Sequence, residues 1–283
     1  MKVQIEPNVH LYVDVEGAGL IPDANSMIEK PTLILLHGGP GSDHTSFKPF
    51  FTRFADIAQI IYYDHRGHGR SDFNSTEALT LDVLADDIVK LCHVLGIIKP
   101  IVLGQSFGGF VAQRYIARHP EHPSKVILSS TSPTFGLERK LIMFNTLGGS
   151  KARIAAEQFW TKPSKLSYDV YTRICKPLYS SVAPALNSNI KSRTIFRNEI
   201  LFKWVSGEYQ TMNLLPGLIR AKCPVLVIAG KLDPVCPIDD SLDIVSALPE
   251  NVVQFEQFRG CGHGVWRDDP DKALFILRQF ILG

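Results

Sequence analysis

The stretch Ile101-Val102-Leu103-Gly104-Gln105-Ser106-Phe107-Gly108-Gly109-Phe110 decides the fold. An apolar β-type run ends at Gly104, and a helical pattern follows from Phe107 to about Arg118. One serine sits between them in the frame Gly104-x-Ser106-x-Gly108, the pattern of a nucleophile elbow. A strand that reverses abruptly into a helix holds its middle residue in a strained backbone conformation and pushes that side chain outward. The flanking residues must be small because strand and helix approach too closely for Cβ groups. The helix N-terminus then aims backbone N–H groups at whatever the serine attacks.

Upstream, residues 32–36 form a continuous apolar run, as a strand buried on both faces requires. The run leads into His37-Gly38-Gly39-Pro40-Gly41, which reads as an oxyanion loop. The N–H of Gly39 is one expected donor to a developing oxyanion, and the N–H of Phe107, directly after the serine, is the other. His37 reads as a hydrogen-bonded prop for this loop rather than a base. A further strand over residues 57–63 ends in Asp64-His65-Arg66-Gly67-His68-Gly69-Arg70-Ser71-Asp72. This turn is expected to pack beneath the site, fixed by hydrogen bonds of Asp64 and Arg66, with His65 and His68 structural rather than metal ligands.

The remaining chain repeats the alternation. A hairpin is expected from residues 2–5 and 10–15, a loop over 17–30 and a helix over 45–54. A helix over 80–95 starts at Thr80 as N-cap. Strands are expected at 125–128, 224–229 and 252–255, and helices at 239–248 and 271–281. Such alternation implies an α/β fold: a mostly parallel eight-stranded sheet flanked by helices, with ligands at the carboxyl ends of the strands. The texture breaks at Pro133. From there to Asn213 the apolar runs look helical and rich in aromatics, among them Phe144, Phe159, Trp160, Tyr179 and Trp204. An inserted helical cap over 134–213 is therefore expected, with the core domain made of 1–133 and 214–283. The cap holds 12 Lys+Arg against 5 Asp+Glu, a difference of +7, so the net charge of +2 leaves about −5 for the rest.

A serine hydroxyl is a weak nucleophile until a base takes its proton, and the base needs a third group to fix its tautomer. Ser106, Asp233 and His263 occur in the order Ser…Asp…His, and the latter two lie in turns directly after predicted strands. An acid after the strand that follows the nucleophile helix is not available, because that position reads Ser129-Ser130-Thr131-Ser132. Asp239 and Asp240 read as charge complements of a helix N-terminus.

Together these residues resemble the α/β-hydrolase fold superfamily over essentially the whole chain. His37-Gly38-Gly39-Pro40-Gly41, the Asp64-x-Arg66-Gly67-x-Gly69-x-Ser71 turn and Gly104-Gln105-Ser106-Phe107-Gly108-Gly109 are similar to the proline iminopeptidase family. The resemblance implies a serine hydrolase that releases an N-terminal proline or other small residue from short peptides through an acyl-enzyme. It also implies a cap glutamate that binds the free α-amine. Glu199 is the candidate, with Glu208 behind it. Pro234 stands where some members carry glutamate after the catalytic aspartate, and the cap is basic, so other substrates stay open: esters, lactones, or acids cleaved at a C–C bond. A ligand receptor built on the same fold also remains open. Ser106 argues against relatives that use a carboxylate nucleophile.

Composition bounds the rest. The chain has 283 residues, 45% of them hydrophobic, enough for one large domain and a sizeable core. A net charge of +2 does not suggest nucleic-acid binding. Residues 1–7 lack the apolar stretch of a signal peptide, and no apolar run reaches the ~20 residues that span a bilayer. Five scattered cysteines without a C-x-x-C pair argue against a disulfide framework and a structural metal. The expectation is a cytoplasmic protein with a small-molecule or short-peptide substrate, no cofactor, no metal, and no nucleic-acid or membrane partner.

Overall fold

The computed structural model describes residues 1–73, 79–182 and 190–283; part of the expected cap, 183–189, lies outside the described residues. The chain opens with β1 (Lys2–Glu6) and β2 (Val9–Glu16). The hairpin β3 (Leu20–Asp23) and β4 (Ser26–Glu29) comes next, then β5 (Thr32–Leu36) and β6 (Gln59–Tyr63). Helix α1 (Leu81–Leu95), β7 (Ile101–Gln105), α2 (Phe107–Arg118) and β8 (Lys125–Ser129) follow. Between β8 and β9 (Val225–Gly230) the described chain is helical: α3 (Leu137–Thr161), α4 (Lys165–Ile174), α5 (Ile190–Arg193), α6 (Asn198–Ser206), α7 (Glu208–Thr211) and α8 (Leu215–Leu218). The chain closes with α9 (Ile238–Ala247), β10 (Val253–Phe258), α10 (Val265–Asp268) and α11 (Pro270–Leu282). No helix among the described residues is long and apolar enough to cross a membrane.

Eight strands form one sheet in the order β1-β2-β6-β5-β7-β8-β9-β10, antiparallel at β1/β2 and β2/β6 and parallel from β6 onward. The inner strands obey the two-residue period of the pleat. Ile34, Leu36, Val102, Val126, Leu128, Val225 and Val227 face one core, which α1, α2 and α9 cover. Leu33, Leu35, Ile101, Leu103, Ile127, Leu226 and Ile228 face the other, filled by Phe47, Phe51, Phe54 and α11. Both faces are buried, so every residue must be apolar, which is why these strands read as unbroken hydrophobic runs.

Two expectations are corrected. Residues 17–30 hold a paired hairpin rather than only a loop, with register Ile21↔Ile28 and all eight strand residues exposed. Its apolar side chains meet no core, so no buried alternation marks it in the sequence. Residues 45–54 are not one helix but two 3-10 turns, His44–Phe47 and Phe50–Phe54. Pro49 stands between them, and without an N–H it cannot continue an α-helical ladder. Thr80 does cap α1, its hydroxyl accepting the Val83 N–H at 3.3 Å.

The parallel register brings the ends of β5, β6, β7, β8, β9 and β10 to one edge. The elbow there leaves no free space. A Cβ on Gly108 would run into the Leu36 carbonyl, and one on Gly104 into the Gly108 carbonyl. Gly260, by contrast, has nothing within 4 Å of where a Cβ would stand and no positive φ. Gly108→Ala is expected to destabilise the protein by about 4 kcal/mol, a fall in Tm of roughly 10 °C. Gly260→Ala should leave Tm unchanged. Equal Tm values for the two variants in thermal unfolding would contradict the close approach.

Candidate active site

Ser106 sits between β7 and α2 at φ 54°, ψ −117°, a left-handed conformation a serine adopts only under constraint. Its N–H is held by the Ser129 carbonyl at 3.0 Å, and its own carbonyl accepts from Gly109 N–H at 2.9 Å and from Thr131 Oγ1 at 2.9 Å. Asp233 follows β9 and His263 follows β10. His263 Nε2 lies 3.0 Å from Ser106 Oγ, and His263 Nδ1 lies 2.8 Å from Asp233 Oδ2. A carboxylate only accepts, so Nδ1–H donates to it and Nε2 is left as the acceptor for the serine hydroxyl. The other oxygen, Asp233 Oδ1, accepts the N–H groups of Val235 and Cys236, each at 2.8 Å. Asp233 is fully buried and His263 nearly so. The arrangement can move a proton from Ser106 to the ring while the carboxylate holds the ring's orientation.

The glycine loop after β5, residues 37–41, lies directly against the elbow. Gly38 is so close that a Cβ there would stand 3.1 Å from Ser106 Cβ, and Gly39 takes φ +59°. No acceptor among the described residues takes the N–H of Gly39 or Phe107. His37 props this loop: its Nδ1 donates to Gly38 O at 3.0 Å and its Nε2 accepts the His65 N–H at 3.1 Å. Asp64 holds the neighbouring turn, accepting from the His44 N–H at 2.9 Å and the Arg70 N–H at 2.8 Å. Arg66 reaches Asp87 and Glu6.

Three histidines pack beneath the site with ring centroids 4.3 Å apart for His37 and His65 and 5.4 Å for His37 and His68. Burial holds all three below the ordinary imidazole range, His68 down to about 3. The hydrogen bonds of His37 and His65 call for neutral rings as well. His65 Nε2 faces the His37 carbonyl at 3.3 Å while Tyr63 hydroxyl meets its Nδ1 at 3.2 Å; His68 Nδ1 donates to Arg66 O at 2.8 Å. His68 Nε2 has no partner among the described residues.

A cavity of about 200 Å³ adjoins the elbow through Phe107 and Pro40. Leu84, Ile200 and Trp204 make its apolar wall, and Lys203 and Glu208 are the charged residues on it. Glu208 is half-buried; burial raises its pKa, and it accepts the Leu81 N–H at 3.1 Å. Glu199 does not join it. That residue is exposed in the first turn of α6, while its neighbour Ile200 lines the cavity. The sequence could not separate the two glutamates, because α6 and α7 turn on Gly207 and the rotation between them is not written in the spacing.

The helical segment between β8 and β9 also reaches the Ser106–His263–Asp233 line itself, which the sequence did not indicate. Tyr179 O accepts the His263 N–H at 2.6 Å, and the Tyr179 ring stands edge-on to the imidazole at a centroid distance of 5.3 Å. Asp240 is buried and bonds Ser132 Oγ at 2.6 Å, more than a helix-terminal charge. Asp233, Cys236 and His263 bring ligand-type atoms within 4.8 Å of one another. Both Asp233 oxygens are already engaged, however, and burial pushes the Cys236 thiol up, away from the thiolate a metal needs. The five cysteines are buried free thiols.

The alpha/beta hydrolase fold profile matches residues 31–270. The chain belongs to the alpha/beta hydrolase fold family. It is similar to the proline iminopeptidase PfmaB of Pestalotiopsis fici, 29% identical over 252 residues covering 84% of this chain and 88% of that protein. The solved proline iminopeptidase of Mycobacterium smegmatis superposes with a TM-score of 0.79 at 20% identity, covering 99% of this chain and 97% of the other. The esterase EaEST from Exiguobacterium antarcticum gives 0.74 at 19% identity, over 100% and 99%. At these identities the two structural likenesses bear on the fold alone.

The buried histidines set an acid limit on stability. A ring whose folded pKa is depressed adds stability that is complete above its unfolded value of about 6.5 and is lost as pH falls toward the folded value. For His68 the window runs from about 6.5 down to about 3. At pH 5 His68 has lost about 2 kcal/mol of that contribution. His68→Phe is therefore expected to flatten the loss of unfolding free energy between pH 7 and pH 4. Urea unfolding at several pH values gives the slope; an unchanged slope would mean that the ring is not buried neutral.

Proposed function

We propose that the chain is a serine hydrolase that works through an acyl-enzyme. The observation that carries this is the line Asp233–His263–Ser106, with contacts of 2.8 and 3.0 Å on a strained elbow. Ser106 Oγ attacks the carbonyl carbon as His263 takes its proton, and Asp233 stabilises the imidazolium. The N–H groups of Gly39 and Phe107 stabilise the oxyanion. His263 then protonates the leaving group, and water, deprotonated by the same ring, releases the acyl group. Residues 134–213 act as a cap over the core domain of 1–133 and 214–283.

For the substrate, the favoured reading is removal of N-terminal residues from short peptides. The similarity to a proline iminopeptidase along most of the chain supports it. Glu208 supplies a carboxylate on the cavity to meet a protonated amine, in place of Glu199. A second reading, an ester or lactone with an acidic acyl part, is supported by Lys203 on the same wall.

Two measurements test this. Ser106→Ala is expected to abolish turnover of prolyl-β-naphthylamide while leaving the fold intact by circular dichroism; residual turnover would refute the nucleophile. In the second, kcat/KM is compared for prolyl-β-naphthylamide, its N-acetylated form and p-nitrophenyl esters. The free-amine substrate should be preferred, and Glu208→Gln should remove at least about tenfold of that preference, the scale of one charged hydrogen bond. The preference should also fall as pH drops through the raised Glu208 pKa, because the protonated acid no longer attracts the amine. Ester turnover indifferent to the free amine would favour the second reading.

A further inference from the structure

Behind the acid loop lies a buried charge that the catalytic line does not use. Lys140, in the first turns of α3, is fully buried. Its Nζ donates to the Val235 carbonyl at 2.7 Å and stands 3.8 Å from Asp240 Oδ2. The Tyr209 ring lies over it at 5.8 Å. Asp240 is also bonded by Ser132 Oγ at 2.6 Å and by Arg139 at 3.0 Å. The ion pair therefore ties the insertion (Arg139, Lys140) to the core (Ser132, Asp240).

An uncharged side chain of similar volume would fill this space without the desolvation of an ammonium. What an apolar side chain lacks is a donor to the Val235 carbonyl. The amide of that same residue is one of the two N–H groups that grip Asp233 Oδ1. We propose that Lys140 is a positioning residue for the triad. By holding the Val235 carbonyl, it fixes the turn that orients Asp233, and so fixes the oxygen that His263 uses. The inference rests on the serine-hydrolase reading. It adds that the helical insertion sets the geometry of the acid as well as the shape of the pocket.

A double-mutant cycle tests it, because residues acting through one another are non-additive. Lys140→Met and Asp233→Asn are made singly and together. The readouts are kcat and KM on p-nitrophenyl acetate and the rate of Ser106 labelling by a fluorophosphonate. Lys140→Met is expected to lower kcat and the labelling rate by roughly tenfold or more, the scale of small misplacement, with KM unchanged. In the Asp233→Asn background it should change neither by more than about twofold. The low-field proton resonance of the His263–Asp233 hydrogen bond should shift or broaden in Lys140→Met alone. If that variant does not fold, Lys140→Leu, which also lacks the donor, replaces it in the same cycle. An equal loss in both backgrounds, or an unchanged rate and resonance in the single variant, would overturn the role of Lys140. A wild-type chain that the fluorophosphonate does not label would instead refute the serine-hydrolase reading beneath it.

Discussion

Gly108 packs against the Leu36 carbonyl and Gly104 against the Gly108 carbonyl, so β5, β7 and α2 touch backbone to backbone at a single point. The positive φ of Ser106 is the geometric result of that contact, not a separate feature. Because α2 starts at contact distance from β5, the glycine loop after β5 lies beside Ser106. Packing on both sheet faces supplies the rigidity. Leu33, Ile34, Leu35 and Leu36 are all fully buried, so the strand that carries the glycine loop is held by packing on both faces.

The charge of the insertion reads differently once its partners are known. Its excess of +7 left two readings open, a solvated outer face or a basic face toward the cleft. Lys140 and Arg139 instead turn inward to Asp240, Arg153 pairs with Glu138, and Lys165 pairs with Asp169. Lys203 is the insertion's cation on the cavity, and Glu208 shares the wall with it. Among the described residues the cavity wall thus carries one acid and one base beside apolar side chains, and net charge per segment says little about it.

The parts of this structure legible in the sequence were those fixed by short-range pattern. Fully buried parallel strands must be apolar throughout, so β5, β7, β8 and β9 stood out. The elbow demands small residues at fixed offsets, so Ser106 did as well. Asp233 and His263 followed because strand ends in a parallel sheet share an edge. What stayed hidden depends on long-range placement. The exposed β3/β4 hairpin buries nothing that could leave a pattern. Lys140 sits one position from Arg139 in the same helical turn, and only the path of α3 decides which of the two is interred. Tyr179 looked like one more aromatic of a helical core. Its carbonyl, not its side-chain identity, holds His263, and no sequence motif records that. Glu199 and Glu208 lie in successive helices joined at Gly207, enough to put one in solvent and the other on the cavity.

Thr134 pairs with Asn213 in an isolated β-bridge, and the Leu214 N–H closes on Pro133 O at 2.9 Å beside it. The two ends of the helical insertion thus meet at one clasp, so to the sheet this long excursion is equivalent to a tight connection. Doubling its length would add only about 0.6 kcal/mol of closure entropy. Such a segment is open to wholesale replacement, and exchange with another chain of the family could swap pocket shape and substrate preference in one event. The contacts of Lys140 with the Val235 carbonyl and of Tyr179 with the His263 amide constrain that freedom. A graft that keeps the clasp but omits those two anchors would carry a new pocket over an Asp233–His263 pair stripped of two of its contacts.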